Sequence, residues 1–322
     1  MKPSVYNAAM AYSRFVLFLA LALPCAAQIK LGIVGTDTSH APAFASVLND
    51  PSNPNHIPGA RIVAAYKGGS ADLESSASRV DKYAEELKTK YGVEIVPDIA
   101  TLLTKVDAVL LESVDGRPHL AQFREIAKGG KPVFIDKPLS STLKDALEIA
   151  RVAKQNNVKW FSASSLRFGE GVASLKQPGL KGAIAWGPGP TEEHHELELT
   201  WYGIHTVEVL YTLMGTGCKQ VTMTSSPDSD VVTGLWIDGR LGTIRVNRPY
   251  SDFGAAVVTP KTIISKTGKE FYSGYVGLLK EIVKFFQTGV SPIPETETLE
   301  MFEFMEAARQ SKLKGGAPVA IR

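Results

Sequence analysis

Lys30-Leu31-Gly32-Ile33-Val34-Gly35, followed by the polar turn Thr36-Asp37-Thr38-Ser39-His40, is the stretch that decides the architecture. A short apolar run without polar alternation reads as a strand buried on both faces, and the helical pattern that follows begins near Ser39 and runs to Asn49. The same unit repeats downstream. A strand is expected at Arg61 to Tyr66 and a charged amphipathic helix from about Ser76 to Tyr91. Further short apolar runs stand at Glu94 to Val96, Ala108 to Glu112 and Pro132 to Asp136, with a helix at His119 to Ala127. The helix Thr142 to Gln155 and the strand Lys159 to Ser164 close this half. Residues 28–164 are therefore expected to form an α/β, Rossmann-like doubly wound parallel sheet, with ligands at the carboxyl ends of its strands.

Beyond Arg167 the segments lengthen and alternate: Thr191 to Thr200, Gln220 to Ser225, Val231 to Ile237, Thr243 to Asn247 and Lys261 to Ser265. Alternation implies one buried and one open face, so residues 165–322 are expected to form an α+β domain with a large, mainly antiparallel sheet. Helices at Ile204 to Met214, Val276 to Gln287 and Glu297 to Lys312 would cover its buried face.

The charge balance depends on the first 27 residues. The chain has 322 residues, with 35 Lys and Arg against 33 Asp and Glu. Residues 1–27 contain Lys2 and Arg14, no acid, and the apolar block Phe15 to Ala27, which is too short to span a bilayer and closes on small residues. That is the pattern of a cleaved Sec-type signal, without the Arg pair of twin-arginine export. Cleavage takes two cations from the 35, leaving 33 against 33. A neutral mature chain gives no electrostatic case for nucleic acid, and no membrane anchor would remain. Cys25 leaves with the signal, so Cys218 is single and an intrachain disulfide is excluded in a periplasmic or secreted protein.

Lys131-Pro132-Val133-Phe134-Ile135-Asp136-Lys137-Pro138-Leu139 resembles the "GKxVxxEKP" segment of the Gfo/Idh/MocA oxidoreductases, with Asp136 where that family usually has Glu. Gly203-Ile204-His205 and the terminal stretch from Glu303 to Ser311, followed by Gly315-Gly316-Ala317-Pro318-Val319, extend the resemblance over nearly all of the mature chain. It implies hydride transfer between NAD or NADP and a sugar or polyol-like substrate, with Lys137 and His205 as the acid-base pair. It also implies a cofactor site at Gly35, Thr36, Asp37, Thr38, Ser39, His40, Asp136 and Lys137. The substrate side is assigned to Arg167, His195, Trp201, Tyr202 and Glu208, and a homo-oligomer would pair through the open sheet.

Three departures qualify this expectation. Of the G-x-G-x-x-G fingerprint only Gly35 is kept; Asp37 replaces the second glycine, and its carboxylate could cap the following helix where phosphate would otherwise sit. The second strand ends in Tyr66-Lys67-Gly68-Gly69-Ser70 with no acid for a ribose, so Lys67 and Ser70 either receive the 2′-phosphate of NADP or form a solvated turn. Trp201 stands where many relatives carry Asp. His195, His205 and Glu208 are weak metal candidates, and no metal is expected because no spacing is diagnostic. A lyase, epimerase or glycoside hydrolase, with or without a metal and using Asp37, His40, His195, His205 and Glu208, is the second reading; a noncatalytic sugar-binding protein is the third.

Overall fold

The computed structural model describes Met1, residues 28–272 and residues 274–321. The expected signal falls on residues outside this range. In chain order the first half contains β1 (Ile29–Val34), α1 (His40–Asn49), β2 (Ala60–Tyr66), α2 (Glu74–Ala77), α3 (Val80–Tyr91), β3 (Glu94–Val96), α4 (Ile99–Leu103), β4 (Ala108–Leu111), α5 (His119–Ala127), β5 (Val133–Asp136), α6 (Leu143–Gln155) and β6 (Trp160–Ala163). Its six strands are parallel in the order β3-β2-β1-β4-β5-β6. The order reverses between β1 and β4, and the crevice outside their carboxyl ends is where such sheets bind ligands. β4 and β5 are buried at every residue, which is why their sequences are continuous apolar runs.

The second half contains a 3₁₀ turn (Ser165–Phe168), α7 (Glu170–Leu175), β7 (Gly182–Pro188), α8 (Glu198–Trp201), α9 (Ile204–Met214), β8 (Cys218–Ser226), β9 (Ser229–Trp236), β10 (Leu241–Asn247), β11 (Gly254–Val258), β12 (Ile263–Thr267), α10 (Val276–Thr288), α11 (Glu295–Leu313) and β13 (Val319–Ala320). Its seven-stranded sheet has the order β12-β11-β7-β10-β9-β8-β13, antiparallel except for β7 beside β10. Among the described residues no helix is long and apolar enough to cross a membrane.

Three sequence expectations are corrected. The alternating segment Thr191 to Thr200 is not a strand: it forms turns and the start of α8, and the strand lies earlier, at β7. β7 ends at Pro188, and Pro190 follows before that segment begins; proline offers no N–H with which to extend the ladder. The expected helix from Ser76 to Tyr91 is broken into α2 and α3, and the Ser76 hydroxyl bonds Asp37 (2.6 Å) while accepting the N–H of Ser70 (2.8 Å). Finally, α10 does not cover the second sheet. Its Leu278, Leu279, Ile282 and Phe285 are buried with Leu31, Ile33, Phe44 and Phe134 of the first half, and Phe285 meets Phe161 edge-on at 5.0 Å. This helix ties the two halves together, while α9 and α11 share the core of the second sheet.

Candidate active site

A cleft of about 450 Å³ opens at the carboxyl ends of the parallel strands, lined by residues from both halves. The first half contributes Thr38, Ser39, His40, Arg79 and Lys137; the second contributes Trp201, Tyr202, His205, Phe253 and three further tyrosines, Tyr250, Tyr272 and Tyr275. A wider groove of about 820 Å³ beside α5 and α6 is lined by Arg124, Glu148 and Arg151, which pair with one another. It presents no comparable set of chemical groups, so the cleft at the strand ends is the candidate site.

Lys137 follows β5 directly and is only 9% exposed. Its ammonium lies over the Tyr202 ring, 5.8 Å from the centroid. Burial pushes its pKa down, and the carboxylates of Asp136, Glu112 and Glu208 oppose that shift. His205 stands on the first turn of α9, its Nδ1 2.7 Å from the Ser164 hydroxyl, with Tyr202 and Phe253 against the ring edge-on. This hydrogen bond orients the ring and leaves Nε2 for the cleft. Burial holds the His205 pKa well below the usual range, helped by the charges of Lys137 and His40. Lys137 and His205 thus bring two proton-carrying groups from different halves to one cavity.

The turn after β1 departs from expectation in detail. Gly35 has φ +98°, and a Cβ there would lie 2.3 Å from the Ser113 backbone nitrogen. Only glycine fits this crossing of the β1 and β4 loops. Thr36 turns away from the cleft, its hydroxyl donating to the Val80 carbonyl (2.9 Å). Asp37 does not cap α1: its carboxylate is wholly buried, accepting from the Ser76 hydroxyl (2.6 Å) and the Val114 N–H (3.2 Å). Burial raises its pKa, against the lowering effect of those two hydrogen bonds. The helices α4 and α6 open with Asp98 and Thr142 as side-chain caps, whereas Ser39 makes no cap bond to α1. A long contact from the His40 N–H to the Thr38 hydroxyl (3.3 Å) is the local substitute. The start of α1 therefore faces the cleft through Thr38, Ser39 and His40, with the competing carboxylate turned aside, an arrangement that suits a dinucleotide's phosphates. Asp136 points inward, 1% exposed, and is not part of the cleft lining.

Three of the five expected substrate residues serve other purposes. Arg167 and Glu208 form a buried pair (2.8 Å), with Arg167 also bonding Glu297 and Glu208 accepting the Ser164 N–H (2.8 Å). Their effect on the site is indirect, since this pair fixes Ser164, which in turn holds His205. His195 lies outside the cleft, between Thr200 (3.0 Å) and Asp115 (3.0 Å). Asp115 also accepts from Ser70 and Arg117, and these partners hold its carboxyl well below the usual carboxylate range against the effect of burial. His195, His205 and Glu208 consequently do not converge as metal ligands. Trp201 and Tyr202 line the cleft. Lys67 pairs with exposed Asp81 and Ser70 bonds Asp115, so the end of β2 is a tied turn. Arg79, Glu112 and the three tyrosines went unread in the sequence; Glu112 alone carried a signal, as an acid ending an apolar run.

The buried histidine has a consequence for stability. His205 has a lowered folded pKa, so below about pH 6.5 the unfolded chain takes up a proton that the folded chain resists. Its contribution to stability is whole above that pH and declines as pH falls. His205→Gln is expected to lose less stability than the parent between pH 6.5 and the folded pKa, as read from urea unfolding at several pH values. Parallel pH profiles would contradict the burial of the ring.

Residues 29–164 match the model of the oxidoreductase family with an NAD-binding Rossmann fold. An uncharacterized oxidoreductase of Streptococcus pneumoniae is 24% identical over 222 residues, covering 61% of this chain and 53% of that one, so the chain spans about half the length of this curated relative. Among solved structures, myo-inositol 2-dehydrogenase from Lactobacillus plantarum superposes with a TM-score of 0.74 at 15% identity, over 92% of this chain and 100% of that one. Myo-inositol dehydrogenase from Lactobacillus casei, solved with NAD(H) and myo-inositol, gives 0.69 at 17% identity, over 92% and 97%. These likenesses extend the shared fold through the second sheet, beyond the part matched by the family model. Residues 29–164 are thus similar to the Gfo/Idh/MocA oxidoreductases, and beyond them the likeness to the solved structures is one of fold.

Proposed function

We propose that the protein is an NAD(P)-dependent oxidoreductase acting on a secondary alcohol of a sugar or polyol-like substrate. The observation that carries this reading is the convergence of Lys137 and His205 on one cleft floored by the open start of α1. A nicotinamide nucleotide supplies the hydride acceptor when bound. Thr38 and Ser39, with the N–H groups of α1, would hold its phosphates, and Arg79 adds a cation at the same rim. Lys137, in the neutral amine form that burial favours, takes the proton of the substrate hydroxyl as the carbonyl forms, while Ser164 holds the His205 ring at the cleft beside it. The walls of Trp201, Tyr202 and Tyr275 present flat apolar faces with polar edges, which suit the faces of a pyranose or cyclitol ring. Purified mature protein, offered NAD⁺ or NADP⁺ with a panel of sugars and polyols, should generate reduced nicotinamide. Absence of turnover with every pair would overturn the activity.

The setting of this activity is part of the same reading. Export rests on the apolar leader, and a secreted chain beginning at Gln28 is the expected product, read by N-terminal sequencing; retention of residues 1–27 would refute it. Association of copies through the second sheet is supported by Ile184, Leu241 and Ile263, which stand exposed on β7, β10 and β12. A double change, Ile184→Lys with Leu241→Lys, should halve the mass or more in sedimentation, and an unchanged mass would exclude this surface.

A further inference from the structure

His40, Glu112 and Asp136 come from three neighbouring positions at the carboxyl edge of the parallel sheet. His40 opens the helix after β1, Glu112 follows β4, and Asp136 ends β5. All three are buried, and one ligand-type atom from each lies within 4.8 Å of the others. Four buried side-chain atoms here have no hydrogen-bond partner: both Glu112 oxygens, Asp136 Oδ1 and His40 Nδ1. Seven such atoms occur among the described residues, so most of the unsatisfied polar character of the molecule is concentrated at this point. His40 Nδ1 lies 2.8 Å from Asp136 Oδ2, yet the pair does not have hydrogen-bond geometry. One ligand-type atom from each of the three residues lies close enough to the others to share a single ion.

A wholly buried carboxylate with no partner, as at Glu112, is expensive, and a second buried carboxylate beside it, with one oxygen unpartnered, makes it more so. Lys137 is buried nearby but makes no ion pair with either among the described residues. We propose that His40, Glu112 and Asp136 form a binding site for one divalent transition-metal ion, with zinc the best match to the donor set. One imidazole and two carboxylates are an N/O set of the kind zinc accepts, and the two negative charges offset the ion's two positive ones. Zinc bonds of about 2.0–2.2 Å keep two ligands of one ion within about 4.4 Å of each other, close to the spread already present. The ion would join the ends of β1, β4 and β5 beneath Lys137, with His40 the one ligand that also lines the cleft. The inference stands apart from the proposed oxidoreductase activity, because metal binding is read without substrate or nucleotide.

The test is a zinc titration of the chelator-stripped, untagged mature protein against a competing chromophoric chelator, with cobalt(II) as a spectroscopic substitute. One tight equivalent per chain is expected, with visible cobalt bands of low-symmetry N/O ligation. Glu112→Gln and His40→Ala should each weaken zinc by more than about 100-fold, the upper end of the loss caused by removing a mere supporting partner. His194→Ala, which alters the exposed His194 and Glu192 pair, should bind as the parent does. Absence of a tight equivalent would overturn the proposal and leave the carboxylates sharing a proton. An equivalent kept at full affinity by both variants would overturn it equally, by locating the ion elsewhere. Circular dichroism monitors folding, and if Glu112→Gln fails to fold, His40→Ala decides the result alone.

Discussion

Lys137→Met is expected to lower turnover about 10³- to 10⁴-fold, the upper part of the range for loss of a positioned proton carrier. Methionine keeps the length of the side chain and suits a position that is 9% exposed, so the change removes the amine with little disturbance of packing. Tyr202 and the strand end before Lys137 hold the side-chain nitrogen in the cleft, and solvent has restricted access to replace it. Water in bulk is a poor base, which is why the loss should fall on kcat. Nucleotide affinity should stay within a few-fold of the parent, because Thr38, Ser39 and the start of α1 are untouched. Steady-state kinetics with a nicotinamide readout separate the two. A loss confined to KM would make Lys137 a binding group and remove it from the chemistry.

The second large effect is expected at Gly35→Ala, with a loss of about 2–5 kcal/mol in stability: about 1–2 from the left-handed backbone and about 1–3 from overpacking. The added Cβ would meet the nitrogen and Cα of Ser113 at 2.3 and 2.6 Å, and backbone cannot swing aside as a side-chain end can. Gly130 is a suitable control, since it also has a positive φ (+63°) but nothing within 4 Å of a new Cβ. Gly130→Ala should show the backbone component alone. Urea unfolding of the two variants gives the comparison, and equal losses would mean that the β1 and β4 loops do not cross as described. Loss of several kcal/mol is a large part of the 5–15 kcal/mol that typically holds a domain together.

The strands were legible because a buried parallel sheet leaves continuous apolar runs, and β4 and β5 are such runs. The segments that carry Lys137 and His205 drew attention through a resemblance, and the fold brings both residues to one cleft. The assignments that failed concern side chains whose partners are remote in sequence. His195 meets Asp115 across 80 positions, and Arg167 meets Glu208 across 41, so no local spacing announces either pair. Asp37 could be expected at a helix end from its place in the turn, but its hydrogen bonds run to Ser76 and Val114, 39 and 77 positions away. The cluster of His40, Glu112 and Asp136 is scattered in the same way over three strand ends and assembles only when the sheet closes. Thr191 to Thr200 misled for a different reason: its alternation of polar and apolar residues is real, but prolines just before it remove the ladder it would have joined.

The claim on which the proposed function rests is that an altered turn, with one fingerprint glycine kept and Asp37 turned aside, still receives a nicotinamide dinucleotide. Trp201 in the cleft wall is a built-in reporter for it. Titration of purified mature protein with NADH and with NADPH, exciting tryptophan and reading nicotinamide emission, should give a saturable signal for at least one of them. Flat titrations with both at millimolar concentration, together with no nucleotide extractable after denaturation, would contradict the account.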